Sequence, residues 1–213
     1  YSMKAKKGDF VEVVYTGRLD DGHIFDLNDR EVAEKENLDQ KALAPKTIAC
    51  LGEKDLVPGL DNFLIDKEIG EKLKVDLKAE EAFGKKEADL IQMVPVSKFK
   101  EQKINPVPGL RLNIDNMVGI IKIVSGGRVM VDFNHALAGK NVHYEVLMKR
   151  EVTDIKEKVE SFLKLSLNLK ELDVKENEGN VSVKLALPDQ LHGAVEEQVK
   201  KRVKEVKSVK FEK

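Results

Sequence analysis

Several features common in proteins of this size are scarce or missing here, and each absence excludes something. There is one cysteine, no tryptophan, and only three tyrosines and eight phenylalanines among 213 residues. A lone Cys50 excludes an intramolecular disulfide and any cysteine-based zinc cluster. It fits a reducing compartment, so a cytoplasmic location is expected. No apolar run approaches the ~18 residues of a membrane span, no segment reads as a signal peptide, and no membrane partner is expected. Tyr1-Ser2 ahead of Met3 reads as a leftover of cloning and is set aside. Basic and acidic side chains nearly cancel, 37 against 38, so the basic excess of a dedicated nucleic-acid binder is missing and no nucleic acid is expected.

The usual catalytic signatures are missing too. The four histidines, His23, His135, His143 and His192, have no metal-ligand spacing to one another, to Cys50 or to a carboxylate. No glycine-rich phosphate loop follows a strand, and no serine sits in a G-x-S-x-G elbow. Neither metal nor cofactor is expected, and a hydrolase has little support.

What the chain does have is apolar periodicity nearly throughout, with 41% hydrophobic and 35% charged residues. That excludes disorder and allows one to three domains with a real core. Val11, Val13 and Tyr15 alternate with Glu12 and Val14, Asp20-Asp21-Gly22 supplies a turn, and His23–Asp26 starts a return strand. Residues 27–45 are polar, with a short helix around 31–36. Thr47–Leu51 reads as a strand, and Leu60, Phe63 and Leu64 give the stripe of a short helix after Pro58. Leu73, Val75 and Leu77 alternate with charges, as in a half-buried antiparallel strand. Beyond the charged joint 85–87, residues 88–131 carry their own turns and strands at Leu110–Ile114, Met117–Val124 and Val129–Val131. Val142, Tyr144, Val146 and Met148 return to the first pattern, so 88–131 reads as a small β-rich insertion.

The last sixty residues read α-β-β-α-β. Ile155, Val159, Phe162 and Leu163 form one helical stripe, with Asp154 and Glu157 as capping candidates, and Leu191, Val195, Val199 and Val203 form another. Asn177-Glu178-Gly179-Asn180 is a hairpin turn, and Val209 and Phe211 an edge strand. This order resembles RNA-binding modules of the KH type, but the G-x-x-G loop of that class is absent. Lys200, Lys201, Arg202, Lys204 and Lys207 read as a solvated basic face.

Tyr15, Phe25, Leu56, Val57, Leu60, Phe83 and Tyr144 cluster at strand ends and turn edges, with Asp26 directly after Phe25. Pattern alone leaves two readings open: a plain core between sheet and helix, or an apolar site with few polar groups.

The segments VEVVYTGRLDDGHIFD (11–26), LGEKDLVPGLDNFL (51–64), IGEKLKVDL (69–77) and AFG (82–84) resemble the FKBP-type peptidyl-prolyl isomerases. LIQMVPVSKF (90–99) and VDFNHALAGKNVHYEV (131–146) resemble the SlyD-like branch, and the C-terminal domain is similar to that of its long archaeal members. The resemblance implies an α+β architecture, with an FKBP-like antiparallel sheet wrapped on a short helix. It places the isomerase domain at 3–87 and 132–152, an insert-in-flap chaperone domain at 88–131 and a C-terminal domain at 153–213. It gives Asp26 and Tyr15 catalytic roles and makes Phe25, Leu56, Val57, Leu60, Phe83, Leu137, Ala138 and Tyr144 the substrate-binding wall. Met93, Val94, Val96, Phe99, Ile104, Leu110 and Met117 become the chaperone surface. Leu60 stands where many relatives have tryptophan, and Phe83 replaces a tyrosine, which keeps open the alternative of a non-catalytic polypeptide-binding scaffold. The implied partners are unfolded or proline-containing polypeptides; the histidine- and cysteine-rich metal tail of the SlyD branch is absent. For the C-terminal domain two roles stay open, a homodimer contact or an extra chaperone surface.

Overall fold

The computed structural model describes residues 3–213. Tyr1 and Ser2, read above as a cloning leftover, lie outside the described residues. In chain order the elements are β1 (Phe10–Leu19), β2 (Ile24–Leu27), α1 (Arg30–Lys35), β3 (Thr47–Cys50), α2 (Pro58–Leu64) and β4 (Lys72–Leu77). Then come β5 (Ile91–Pro95), α3 (Val96–Glu101), β6 (Arg111–Ile114), β7 (Met117–Ser125), β8 (Arg128–Asp132) and β9 (Val142–Val152). The chain closes with α4 (Ile155–Leu167), β10 (Asp173–Asn177), β11 (Asn180–Lys184), α5 (Asp189–Arg202) and β12 (Ser208–Glu212). Among the described residues no helix is long and apolar enough to cross a membrane. The fold is α+β, and the chain forms two compact units: residues up to Leu77 together with Asn141–Lys213, and Lys78–Lys140.

The first unit is built on a five-stranded antiparallel sheet, four strands in the order β2-β1-β9-β4 and β3 paired with β1 off this path. β9 pairs with β1 along its whole length, so β2 and β3 must share β1's other edge. The polar stretch between them leaves the sheet and returns. Asp29 caps α1 by accepting from the Glu31 and Val32 N–H groups. The β1–β2 turn closes because Gly22 takes a φ of +84° and the Asp21 carboxylate accepts from the His23 N–H at 2.9 Å. In α2, Pro58 occupies the first turn, where its missing N–H costs nothing, and Leu60, Asp61 and Leu64 are buried.

The alternation read in β1 predicts one buried face, but Phe10, Val11, Glu12 and Val13 are all buried. The reason is the C-terminal segment. Phe10, Cys50 and Val152 join Val159, Phe162, Leu163, Val174, Val181, Val183 and Val199 in one hydrophobic cluster, and α4 packs against both β10 and β3. Glu12 is covered by Lys46 at 3.4 Å and Arg150 at 3.5 Å. Arg150 and Lys46 also hold Glu157, and the Arg150 hydrogen bond lowers the Glu157 pKa to about 2.

In this segment α4 starts where Asp154 accepts from the Glu157 N–H and ends with Asn168 at φ +53°. The strands lie in the order β10-β11-β12, with β12 parallel to β11 at the edge. Glu178 and Gly179 both take positive φ, as a two-residue turn between paired Asn177 and Asn180 requires.

The second unit has a four-stranded sheet, β5-β8-β7-β6. β5 and α3, which the sequence pattern does not mark, are both short, and Pro95 ends β5 directly before α3. The stem of this unit is held closed locally. Asn134 and Glu87 exchange two hydrogen bonds, and Lys86 pairs with Asp132 at 3.0 Å. The Gly139 N–H donates to the Gly84 carbonyl at 2.7 Å.

Candidate active site

In the first unit an aromatic cluster forms where β1, β2 and β9 run side by side. Gly17 pairs with Asp26 on one edge and with Tyr144 on the other. A Cβ at Gly17 would lie 2.6 Å from the Phe25 ring and 3.0 Å from Tyr144, so only glycine lets these rings lie across the strand. Tyr144 meets Phe25 edge-on at 5.9 Å and Tyr15 at 6.2 Å between ring centroids.

Asp26 is exposed at the rim, and its carboxylate accepts from the Tyr15 hydroxyl at 2.9 Å. Burial, and then the Asp26 charge, push the Tyr15 and Tyr144 hydroxyls above their ordinary pKa. Tyr15 therefore remains a hydrogen-bond donor at neutral pH. Asn28 went unnoticed in the sequence, yet its side chain accepts from the Tyr15 N–H at 2.7 Å and donates to the Val13 carbonyl at 2.9 Å. It staples the end of β2 onto β1 and so fixes the Tyr15–Asp26 pair. A polar residue directly after a strand, facing a longer strand, was the available signal.

Leu56 and Val57 are half-buried and precede α2. Among the described residues the Val57 N–H has no hydrogen-bond partner, while its carbonyl accepts from Asp61 N–H. The segment between β3 and α2 is anchored by buried Asp61, which accepts from the Gly52 and Lys54 N–H groups at 2.9 and 3.2 Å. Leu60 is only 2% exposed and lies beneath this segment.

The remaining predicted wall residues, Phe83, Leu137 and Ala138, belong to the second unit. There Phe83 stacks on His135 at 5.1 Å, Ala138 is buried and Leu137 half-buried. A cavity of about 1060 Å³ in the first unit lies elsewhere, between the sheet and the 28–47 excursion. None of the predicted pocket residues lines it.

Two expectations are corrected by burial. Val94 and Phe99 lie buried in the second unit's own core with Ile121, Val129 and Val131, so these two are not part of an open surface, while Val96, Ile104 and Leu110 pack against that core and stay half-exposed. The register instead places Met93, Met130 and Ile123 in one row across β5, β8 and β7, flanked by Ile91, Ile120 and Val118. Met93, Ile123 and Val118 are each more than half exposed. Both faces of this small sheet are apolar, α3 and the segment after it cover only one, and of the predicted set Met93 alone lies on the open one. Met117 is exposed at the strand end, on the other face. Arg202 likewise departs from the solvated basic face that its lysine neighbours suggest. Its side chain is 15% exposed and pairs with Asp55 at 2.7 Å.

Among the described residues no group of three or more His, Cys, Asp or Glu side chains could hold a metal ion. Residues 1–100 match the family model of FKBP-type peptidyl-prolyl cis-trans isomerase, and residues 92–137 match that of the FKBP26 IF domain. The chain is 29% identical over 145 residues to the short-type peptidyl-prolyl cis-trans isomerase of Methanocaldococcus jannaschii, covering 68% of this chain and 92% of that protein. It is 32% identical over 158 residues to the FKBP-type peptidyl-prolyl cis-trans isomerase SlyD of Haemophilus influenzae, covering 71% and 75%. The FKBP-type 16 kDa peptidyl-prolyl cis-trans isomerase of Escherichia coli is 32% identical over 100 residues, covering 45% and 67%.

Proposed function

We propose, because the chain belongs to the FKBP-type peptidyl-prolyl cis-trans isomerases, that the aromatic cluster around Tyr144 is where it rotates X-Pro bonds. The barrier to that rotation comes from amide resonance and stands at ~18–20 kcal/mol. X-Pro bonds have two isomers of similar energy that exchange in tens to hundreds of seconds. No nucleophile is needed. The enzyme must bind the twisted amide better than either planar form. A planar amide is more dipolar and better solvated by water, so an apolar surround favours the twisted state. Lowering the barrier by ~4–5 kcal/mol gives a rate gain of roughly a thousand- to several-thousand-fold.

In this reading the proline ring rests against Phe25, Leu56 and Val57, with Tyr144 and Leu60 beneath. The Val57 N–H holds a substrate carbonyl. Asp26, oriented by the Tyr15 hydroxyl, acts on the rotating amide through its field and hydrogen bonding rather than as a proton shuttle. The observation that carries this is the conjunction of the Tyr15–Asp26 bond with apolar rings and an unpartnered N–H. A protease-free isomerisation assay on a proline tetrapeptide tests it: Asp26→Ala and Tyr144→Leu should each lower kcat/KM about tenfold or more with the fold intact. Unchanged rates in both would reject the assignment.

We further propose that the open apolar face of the insert captures unfolded chains, which raises the local concentration of X-Pro bonds near the catalytic unit. Met93 and Met130 suit such a surface because a flexible thioether side chain adapts to varied sequences. A Met93→Ser, Ile123→Ser double variant should lose several-fold in catalysed refolding of a proline-limited protein while tetrapeptide isomerisation holds. Equal losses on both substrates would contradict capture.

A further inference from the structure

We propose that Arg202, at the end of α5, is a positioning residue for the isomerase site, acting through Asp55 on the segment that presents Val57. This rests on the reading of Val57 given above. The seven residues between β3 and α2 carry both Leu56 and Val57; their backbone bonds tie Leu51 to Gly8 and Asp9, Glu53 to Cys50 and the Val57 carbonyl to Asp61. Lys54 takes a φ of +62°, a conformation L-residues adopt at a cost, and α2 begins with no side-chain cap. Two carboxylates add to these bonds. Asp61 takes its first half through the Gly52 and Lys54 N–H groups. Asp55 takes its second half: one carboxylate oxygen accepts from the Cys50 N–H at 2.9 Å, which closes the segment back onto β3. The other oxygen receives the Arg202 guanidinium at 2.7 Å. A second guanidinium nitrogen donates to the Glu53 carbonyl at 3.3 Å, and the group stacks over the Phe162 ring at 4.5 Å. Asp55 precedes Leu56 and Val57 in the chain, so the angle at which the Val57 N–H leaves the segment is set by a carboxylate clamped at both oxygens.

The clamp comes from 147 residues away in sequence, on a helix whose own core is continuous with β1 and β3 through Phe10, Cys50 and Val152. The Asp55 and Arg202 side chains are 8% and 15% exposed, so solvent does little to loosen the pair. The fork geometry matters: guanidinium grips a carboxylate and a carbonyl at once, which an ammonium group at the same place cannot do. The C-terminal domain is thereby coupled to the alignment of one substrate-binding N–H group, in addition to any stability it adds.

The test compares Arg202→Met, Arg202→Lys and Asp55→Asn in the full chain. Its readouts are tetrapeptide kcat and KM without protease, thermal midpoint, and the amide resonances of Leu56 and Val57 with and without peptide. Expected for Arg202→Met are a fall in kcat/KM of about tenfold, displaced Leu56 and Val57 resonances and loss of their response to peptide. The Tyr144 ring signals should stay in place, Arg202→Lys should recover part of the loss, and Asp55→Asn combined with Arg202→Met should be no worse than either alone. A folded Arg202→Met with full kcat/KM and unmoved Val57 resonance, changed only in thermal midpoint, would overturn the proposal. If Arg202→Met fails to fold, Arg202→Lys decides: an intermediate kcat/KM with a shifted Val57 resonance supports positioning, and unaltered values overturn it. Tyr144→Leu separates the two levels. Should it leave kcat/KM unchanged, the site itself is misassigned. Should it lower kcat/KM while Arg202→Met does not, only the positioning role falls.

Discussion

Replacing Gly17 with alanine puts a single methyl group into the aromatic cluster. Its position is fixed by the backbone at 2.6 Å from the Phe25 ring, closer than carbon atoms approach one another, and at 3.0 Å from Tyr144, tighter than most contacts. Gly17 sits in extended strand, so alanine faces no backbone penalty there, and the stiffer unfolded chain contributes about 0.4–1 kcal/mol of stability. Overpacking costs ~1–3 kcal/mol. The overpacking term wins, and a net loss on the order of 1 kcal/mol is expected in urea unfolding. The rings can relieve the clash only by moving off the strand, which also moves the Tyr15–Asp26 pair and the surface proposed to hold proline. Tetrapeptide kcat/KM should therefore fall by roughly tenfold or more, out of proportion to so small a loss of stability. A stable Gly17→Ala protein with unaltered kcat/KM would refute the claim that this ring arrangement forms the site.

Three other outcomes follow from the same geometry. Leu163, 1% exposed in the core shared with Phe10 and Cys50, should cost about 2–5 kcal/mol when cut to alanine; calorimetry should show one transition of the first unit shifting as a whole, and a separate C-terminal transition moving alone would contradict the shared core. Asp132 is opposed by its burial, but the Asn134 and Lys86 bonds outweigh that and lower its pKa to about 2. Its contribution is present above its ordinary value of about 4 and is lost as pH falls toward about 2, so Asp132→Asn should weaken the second unit near neutrality and flatten its acid response, read by amide exchange at residues 84–94. His143 shows the opposite sign: its ring nitrogens bond to the Asp76 and then the Asp20 carboxylate, both at 2.7 Å, which raises its pKa. That contribution is full below the ordinary histidine value and is lost as pH rises through the raised one; NMR of the imidazole should show the late titration, and a His143 that titrates early would remove the pair from the account.

Local pattern made much of this fold legible. The alternation of Val142, Tyr144, Val146 and Met148 marked the central strand, and Asp154 and the Asn177–Asn180 turn marked element ends that the chain uses. Contacts between distant segments were not legible. The near-continuous burial of Phe10–Val13 depends on α4, more than a hundred residues later. Arg202 looks like its lysine neighbours until Asp55 is placed beside it. At the site, the residue types at Tyr15, Phe25, Asp26 and Tyr144 were readable from their resemblance to a family. Asn28 and Gly17 were not, because their roles lie in the pairing of β1 with β2 and β9. In the insert, an apolar list could not say which side of the sheet each residue faces; that needed the register of β5, β8 and β7.

The central claim is that rotation is driven by an apolar surround and a fixed polar edge, with no proton in flight. Exchange NMR on a proline tetrapeptide, run with the intact protein in light and heavy water, tests this most directly. The expected result is the same kcat/KM in both solvents. A rate that drops severalfold in heavy water would contradict it.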